Sequence, residues 1–186
     1  MYTSRYDEAN NLFLKLLNES IKRQNEIMKY CILSNLVFTS LIQKDIKSGF
    51  DYLNRIDEQF TDDLDLKMYK CLLYYFSHEY TKSKECIASF LRDVKDSKYH
   101  KNFIRALKYM MDNKPMKAID NFETCYQIAL KNGQYDRAIF ILKQLNELYL
   151  DHGLQNKLKK VKELQENFYK MSYANQIIED IGLKLN

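Results

Sequence analysis

The stretch AIDNFETCYQIALKNGQYDRAIF, residues 118–140, decides how the chain is read. It sets a small residue, Ala118, four positions before Phe122 and seven before Cys125, so all three share one face of a helix. KNGQY (131–135) stops that helix, and a second apolar-periodic run starts at once. The spacing recurs at Ser83, Ile87 and Phe90, at Gly49, Leu53 and Ile56, and at Ala9, Phe13 and Leu16, with a degraded copy from Leu158. Pro115, Tyr80, Ile46 and Tyr6 stand three residues before the four full copies. The anchors 9, 49, 83, 118 and 158 are 40, 34, 35 and 40 residues apart.

A second signature precedes three anchors. Cys71 with Tyr74, Ala106 with Tyr109, and Asn146 with Tyr149 each set a short side chain three residues before a tyrosine. A small residue on each of two helices lets the backbones approach, and the ring on the same face fills the space beside the turn. Two helices of about 15 residues plus turns fill each period, and one such unit needs its neighbours to bury its apolar face.

Composition agrees. The 186 residues contain 4 Gly and 1 Pro, too little punctuation for strands and hairpins, so an all-α chain is expected. Stops are read at IKSGF (46–50), EQFTDDLD (58–65), SHEYTKS (77–83), DVKDSKYH (93–100), DNKPM (112–116), KNGQY (131–135) and DHGLQN (151–156), leaving about nine helices.

On these two signatures the chain resembles the tetratricopeptide repeat (TPR) superfamily over residues 6–164. The resemblance implies a right-handed α-α superhelix of stacked TPR-like helical hairpins. Three departures stand out: Leu33, Lys67, Asn102 and Leu142 hold the first-helix tryptophan site, the closing proline is missing, and two periods are 40. The spacing is similar to the C-terminal regulatory domains of Gram-positive peptide-sensing regulators of the Rgg, Rap and PlcR group and their phage relatives. That implies a sensor part of a transcription regulator, with a DNA-binding segment upstream. Tyr6, Ala9, Phe13 and Leu16 match a second helix with no first helix before it; the chain is then either a fragment or completes this unit with another subunit.

The domain reading is a repeat array over 1–166 that begins with a half unit, followed by a segment 167–186 that caps the array or dimerises. Phe168, Met171, Ile177, Ile178, Ile181 and Leu185 carry that last role.

In the TPR layout the first helices line the concave face. Carried over by position, the inward residues are Ser34, Phe38 and Leu41, then Met68, Leu72 and Tyr75, then Phe103, Leu107 and Met110, then Lys143, Glu147 and Leu150. A face so lined suits a short apolar peptide or a partner protein segment; the same stripe is also what packed core looks like. Asn102 and Asn146 are either surface residues or amides that pair with an extended peptide backbone, the role asparagines take in the peptide-sensing group.

Other chemistry finds little support. His78, His100 and His152 lack metal-ligand spacing, no phosphate-binding or nucleophile motif occurs, and no catalytic residue, metal or cofactor is expected. TDDLD (61–65) reads as an acidic helix cap. The 29 basic and 25 acidic side chains give a net charge of +4, too weak an imbalance to argue for direct nucleic-acid binding. KLKKVK (157–162) reads as a solvated helix face. Cys31, Cys71, Cys86 and Cys125 form no C-x-x-C pair and read as small core residues in a reducing compartment. With no signal-type or membrane-length apolar run, a cytoplasmic chain without membrane contact and a possible homodimer are expected.

Overall fold

The architecture comes from a computed structural model that describes residues 3–164 and 166. Among those residues the chain is all-α. The helices are α1 (Thr3–Lys22), α2 (Glu26–Gln43), α3 (Ile46–Leu53), α4 (Leu64–Phe76), α5 (Tyr80–Asp93), α6 (Lys98–Met111), α7 (Pro115–Lys131) and α8 (Tyr135–Asp151), with a 3-10 turn at Glu58–Phe60. A further helical run covers 155–164. The segment 167–186, with Phe168, Met171, Ile177, Ile178, Ile181 and Leu185, lies outside the described residues.

Six turns share one geometry. Gln24, Lys44, His78, Asn113, Gly133 and Gly153 all adopt left-handed backbone, with φ between 51 and 68°. At each, the left-handed residue donates its N–H to the carbonyl three residues back. The next residue donates to the carbonyl five residues before itself, as with Lys44 to Leu41 (3.3 Å) and Asp45 to Ser40 (2.9 Å). These paired bonds satisfy carbonyls that a helix end would otherwise leave open. Four of the turns, at 44, 78, 113 and 153, precede Gly49, Ser83, Ala118 and Leu158 by five residues, and all four of those anchors are buried.

The turns move two boundaries away from their expected places. IKSGF is no stop: the break is at Lys44, Asp45 caps α3 by accepting from the Ser48 N–H (3.2 Å), and Gly49 lies inside the helix. The turn at Gln24, closed by Asn25 accepting from Met28 (2.9 Å), carries no Gly or Pro and is a break beyond those the sequence signalled. TDDLD does cap a helix, with Asp63 accepting from the N–H groups of Asp65 (2.8 Å) and Leu66 (3.0 Å) at the start of α4.

Each helix packs on its chain neighbours: α2 on α3, α4 on α5, α6 on α7 and α7 on α8. In addition α2 packs on α4 and α4 on α6. Small residues set the joints. A Cβ on Gly49 would stand 2.6 Å from Leu73 Cδ2, so any larger residue would force the Leu73 side chain to shift where α3 meets α4. Ser83 of α5 donates its hydroxyl to the Cys71 carbonyl of α4 (3.2 Å), while Ala106 and Ala118 are fully buried on α6 and α7.

A left-handed residue with a side chain costs roughly 1–2 kcal/mol against glycine. Gln24→Gly is therefore expected to stabilise the chain by about 1 kcal/mol, raising the midpoint of a urea unfolding curve followed by circular dichroism. An unchanged or lowered midpoint would contradict the turn geometry.

Candidate functional site

The inner helices α2, α4, α6 and α8 meet around aromatic rings. Phe38 of α2 lies 5.6 Å from Tyr69 of α4 and 5.7 Å from Phe140 of α8, and Phe140 stacks on Phe103 of α6 at 6.2 Å. Phe103 in turn meets Phe122 of α7 edge-on at 5.3 Å. Offset and edge-on ring pairs add about 0.5–1.5 kcal/mol each to the burial of their area. The ring of Phe140 on α8 thus touches α2, and the middle of the inner face is filled by aromatic side chains.

That filling sorts the residues expected to line a groove. Leu41, Met68, Leu72, Phe103 and Leu107 are buried in the core instead of lining an open groove. Ser34, Phe38, Tyr75, Asn102, Met110, Lys143 and Asn146 are half-buried, and Glu147 and Leu150 are exposed. The two exposed members, Glu147 and Leu150, lie on α8, where positions 143, 146, 147 and 150 are mutual neighbours at helical spacing.

At this rim Lys44, the left-handed residue after α2, pairs with Glu147 at 3.0 Å. Lys143 sits over the Tyr6 ring of α1 at 5.4 Å. Burial pulls the Lys143 ammonium below its ordinary pKa and the nearby Lys44 charge adds to this, against the opposing pull of Glu147. Tyr75 packs on Phe76 and Tyr80, and burial raises its hydroxyl pKa, helped by Tyr80 and Glu147. Asn146 Oδ1 is buried and accepts no hydrogen bond, while Leu150, one turn on, is 60% exposed.

A polar cluster ties the starts of α4, α6 and α8 together. With Asp63 serving as the cap, Asp65 is free to turn inward. His100 Nε2 donates to Asp65 Oδ1 (2.8 Å), and the Arg137 guanidinium donates to the other carboxylate oxygen. Ser97 Oγ lies 2.5 Å from His100 Nδ1 and accepts the His100 backbone N–H at 3.4 Å. The tautomer with its proton on Nε2, accepting from Ser97 on Nδ1, satisfies every one of these bonds. Arg137 also lies over the Tyr99 ring at 5.2 Å. Serine, histidine and aspartate stand in one string here, but the hydroxyl caps α6 and Arg137 occupies the aspartate, so the string positions three helices. Burial works against ionising Asp65, yet the His100 hydrogen bond and the Arg137 charge outweigh it and hold the carboxyl below the usual carboxylate range.

The cluster is absent from the sequence reading. His100 and Arg137 lie 35 and 72 residues from Asp65, and no local spacing announces a pair that distant. A matching joint follows at α8, where Glu123 accepts from Tyr149 (2.5 Å) and from Lys157 (2.7 Å). Lys159, Lys160 and Lys162 are exposed beside buried Leu158 and Val161, as a solvated helix face requires.

The cysteines divide. Cys71 and Cys125 are buried, whereas Cys31 is exposed on the outer side of α2 and Cys86 is half-buried, so only two fit the core reading. Among the described residues no three His, Cys, Asp or Glu side chains converge as a metal site, and no helix is long and apolar enough to cross a membrane.

A native carboxyl pKa below the unfolded value, about 3.9, contributes stability that is complete above that pH and disappears as pH falls through the native value. The melting temperature of the chain is thus expected to drop more steeply from about pH 5 to pH 2 than that of Asp65→Asn. At pH 7 the variant should be less stable by about 2 kcal/mol. Parallel acid profiles would remove Asp65 as the keystone of the cluster. Set against known proteins, the chain matches no family model and no curated protein.

Proposed function

We propose that this chain is a non-enzymatic, TPR-like regulatory module that binds a short peptide or partner protein segment along the α8 rim. One observation carries the reading: the buried Asn146 Oδ1 has no hydrogen-bond partner and sits one turn from an exposed leucine, Leu150. An unpaired buried acceptor costs about 1–3 kcal/mol, which a donor from an extended segment would recover. The Asn146 amide turns outward to accept the segment's backbone N–H, the segment's apolar side chain covers Leu150, and Lys143 with Glu147 sets its charge preference. The recurring turn and its buried anchor five residues on support the stacked-hairpin reading.

Regulation follows from the same rim. Both partners of the Lys44–Glu147 pair are more than half exposed, and such pairs are worth about 0–1 kcal/mol. A ligand that engages Glu147 frees Lys44 and shifts the approach of α8 to α2, and small rotations add along a stack in which units touch only neighbours. Joined to a DNA-binding segment, such a module would be the sensor part of a transcription regulator.

Isothermal calorimetry against short apolar peptides tests the reading. Asn146→Ala and Leu150→Glu are each expected to weaken binding about tenfold, near 1.4 kcal/mol, while Met116→Glu on exposed α7 surface leaves it unchanged. Absence of binding by every peptide, or equal binding by all three variants, would reject it.

A second reading, a homodimerising scaffold, is favoured by Leu14 and Ile21, two exposed apolar residues seven positions apart on α1. Light scattering would then report a dimer that Ile21→Glu converts to monomer. A chain monomeric at all accessible concentrations would exclude it.

A further inference from the structure

Two of the four cysteines face each other across the α4–α5 hairpin. Cys71 Sγ and Cys86 Sγ are 2.8 Å apart, within about 1 Å of the disulfide bond length of about 2.05 Å. Cys71 is enclosed, and its carbonyl holds the Ser83 hydroxyl at the joint. Cys86 is half-buried and opens onto a cleft of about 860 Å³ bounded by α3, α4 and α5, with Lys70, Tyr74 and Lys82 among its lining. The other two thiols differ. Cys31 stands exposed on α2, and Cys125 Sγ is buried, donating to the Tyr99 carbonyl at 3.4 Å.

We propose that Cys71 and Cys86 form a redox-modification site at which a small hydroperoxide, entering through this cleft, closes an intramolecular disulfide between α4 and α5. The two sulfurs have different tasks. The hydrogen bond from Cys71 lowers the Cys86 pKa, burial opposes it and the Lys70 charge assists it, whereas the bond to Cys86 and burial push Cys71 upward. Cys86 is therefore the attacking thiolate and Cys71 the resolving thiol.

In the first step the Cys86 thiolate attacks one peroxide oxygen. An S–O bond forms, the O–O bond breaks, and the leaving hydroxide takes a proton to become water. In the second step the Cys71 sulfur attacks Cys86; the S–S bond forms, the S–O bond breaks, and the departing hydroxide leaves as water with the Cys71 proton. The dithiol loses two electrons and two protons, and hydrogen peroxide is reduced to two waters. The bond ties the two helices at the place where small residues bring them together, so oxidation fixes this unit of the stack independently of any ligand at the α8 rim.

The test uses the full chain, reduced, freed of reductant and exposed to hydrogen peroxide. Titratable thiols are expected to fall from four to two and to return to four with dithiothreitol. Tryptic mass mapping should find peptides 71–82 and 85–92 joined. Cys31→Ser retains the link and Cys86→Ser loses it. Four titratable thiols after treatment, Cys86 carried to the sulfinic acid with no link, or a link through Cys31 would each overturn the proposal. The mapping of the natural chain decides this even where a variant fails to fold.

Discussion

The contact between Phe38 and Phe140 links α2 to α8. The two rings are 102 residues apart in sequence, yet their centroids stand 5.7 Å apart. Around them Tyr69 packs on Phe38, Phe103 stacks on Phe140, and Met68, Leu72 and Leu107 are buried. A ring of this size removes a large apolar area from water, and the geometry of ring pairs also fixes the angle at which helices meet. The inner face is spent on stability, and Glu147 and Leu150 at its rim stay exposed.

Polar contacts then set the two ends of α8 with unequal strength. At the start of α8, Arg137 is held by a half-buried carboxylate that also anchors His100, so three helices share one charge in a poorly solvated place. At the far end, Lys44 and Glu147 meet in water. Low dielectric strengthens the first arrangement and solvent screening weakens the second, so α8 is pinned at one end and loosely clasped at the other. Such an element is suited to a hinge-like response about its fixed end. The unpaired amide oxygen of Asn146 falls near the loose end.

Local order in the sequence was readable to differing depths. Gly133 and Gly153 announce their turns because glycine reaches left-handed backbone without strain. His78 and Asn113 make the same turn within the polar stops SHEYTKS and DNKPM, whereas Gln24 and Lys44 make it where no residue type signals it. Gly49 is not the break before α3; its smallness serves close contact with Leu73 rather than a turn. Asp63 was recognisable as a cap because capping is a matter of adjacent residues, while Asp65, two positions on, found partners that no neighbour predicts.

By itself the sequence determined the all-α class, the helix spacing and the small residues at each joint, because these rest on periodicities of three to five residues and on backbone preferences. Tertiary structure alone decided that the inner stripe is core, that α8 meets α2, and which side chains remain at the rim. The physical reason is that contacts between helices distant in sequence depend on packing angles and side-chain fit that no single segment encodes.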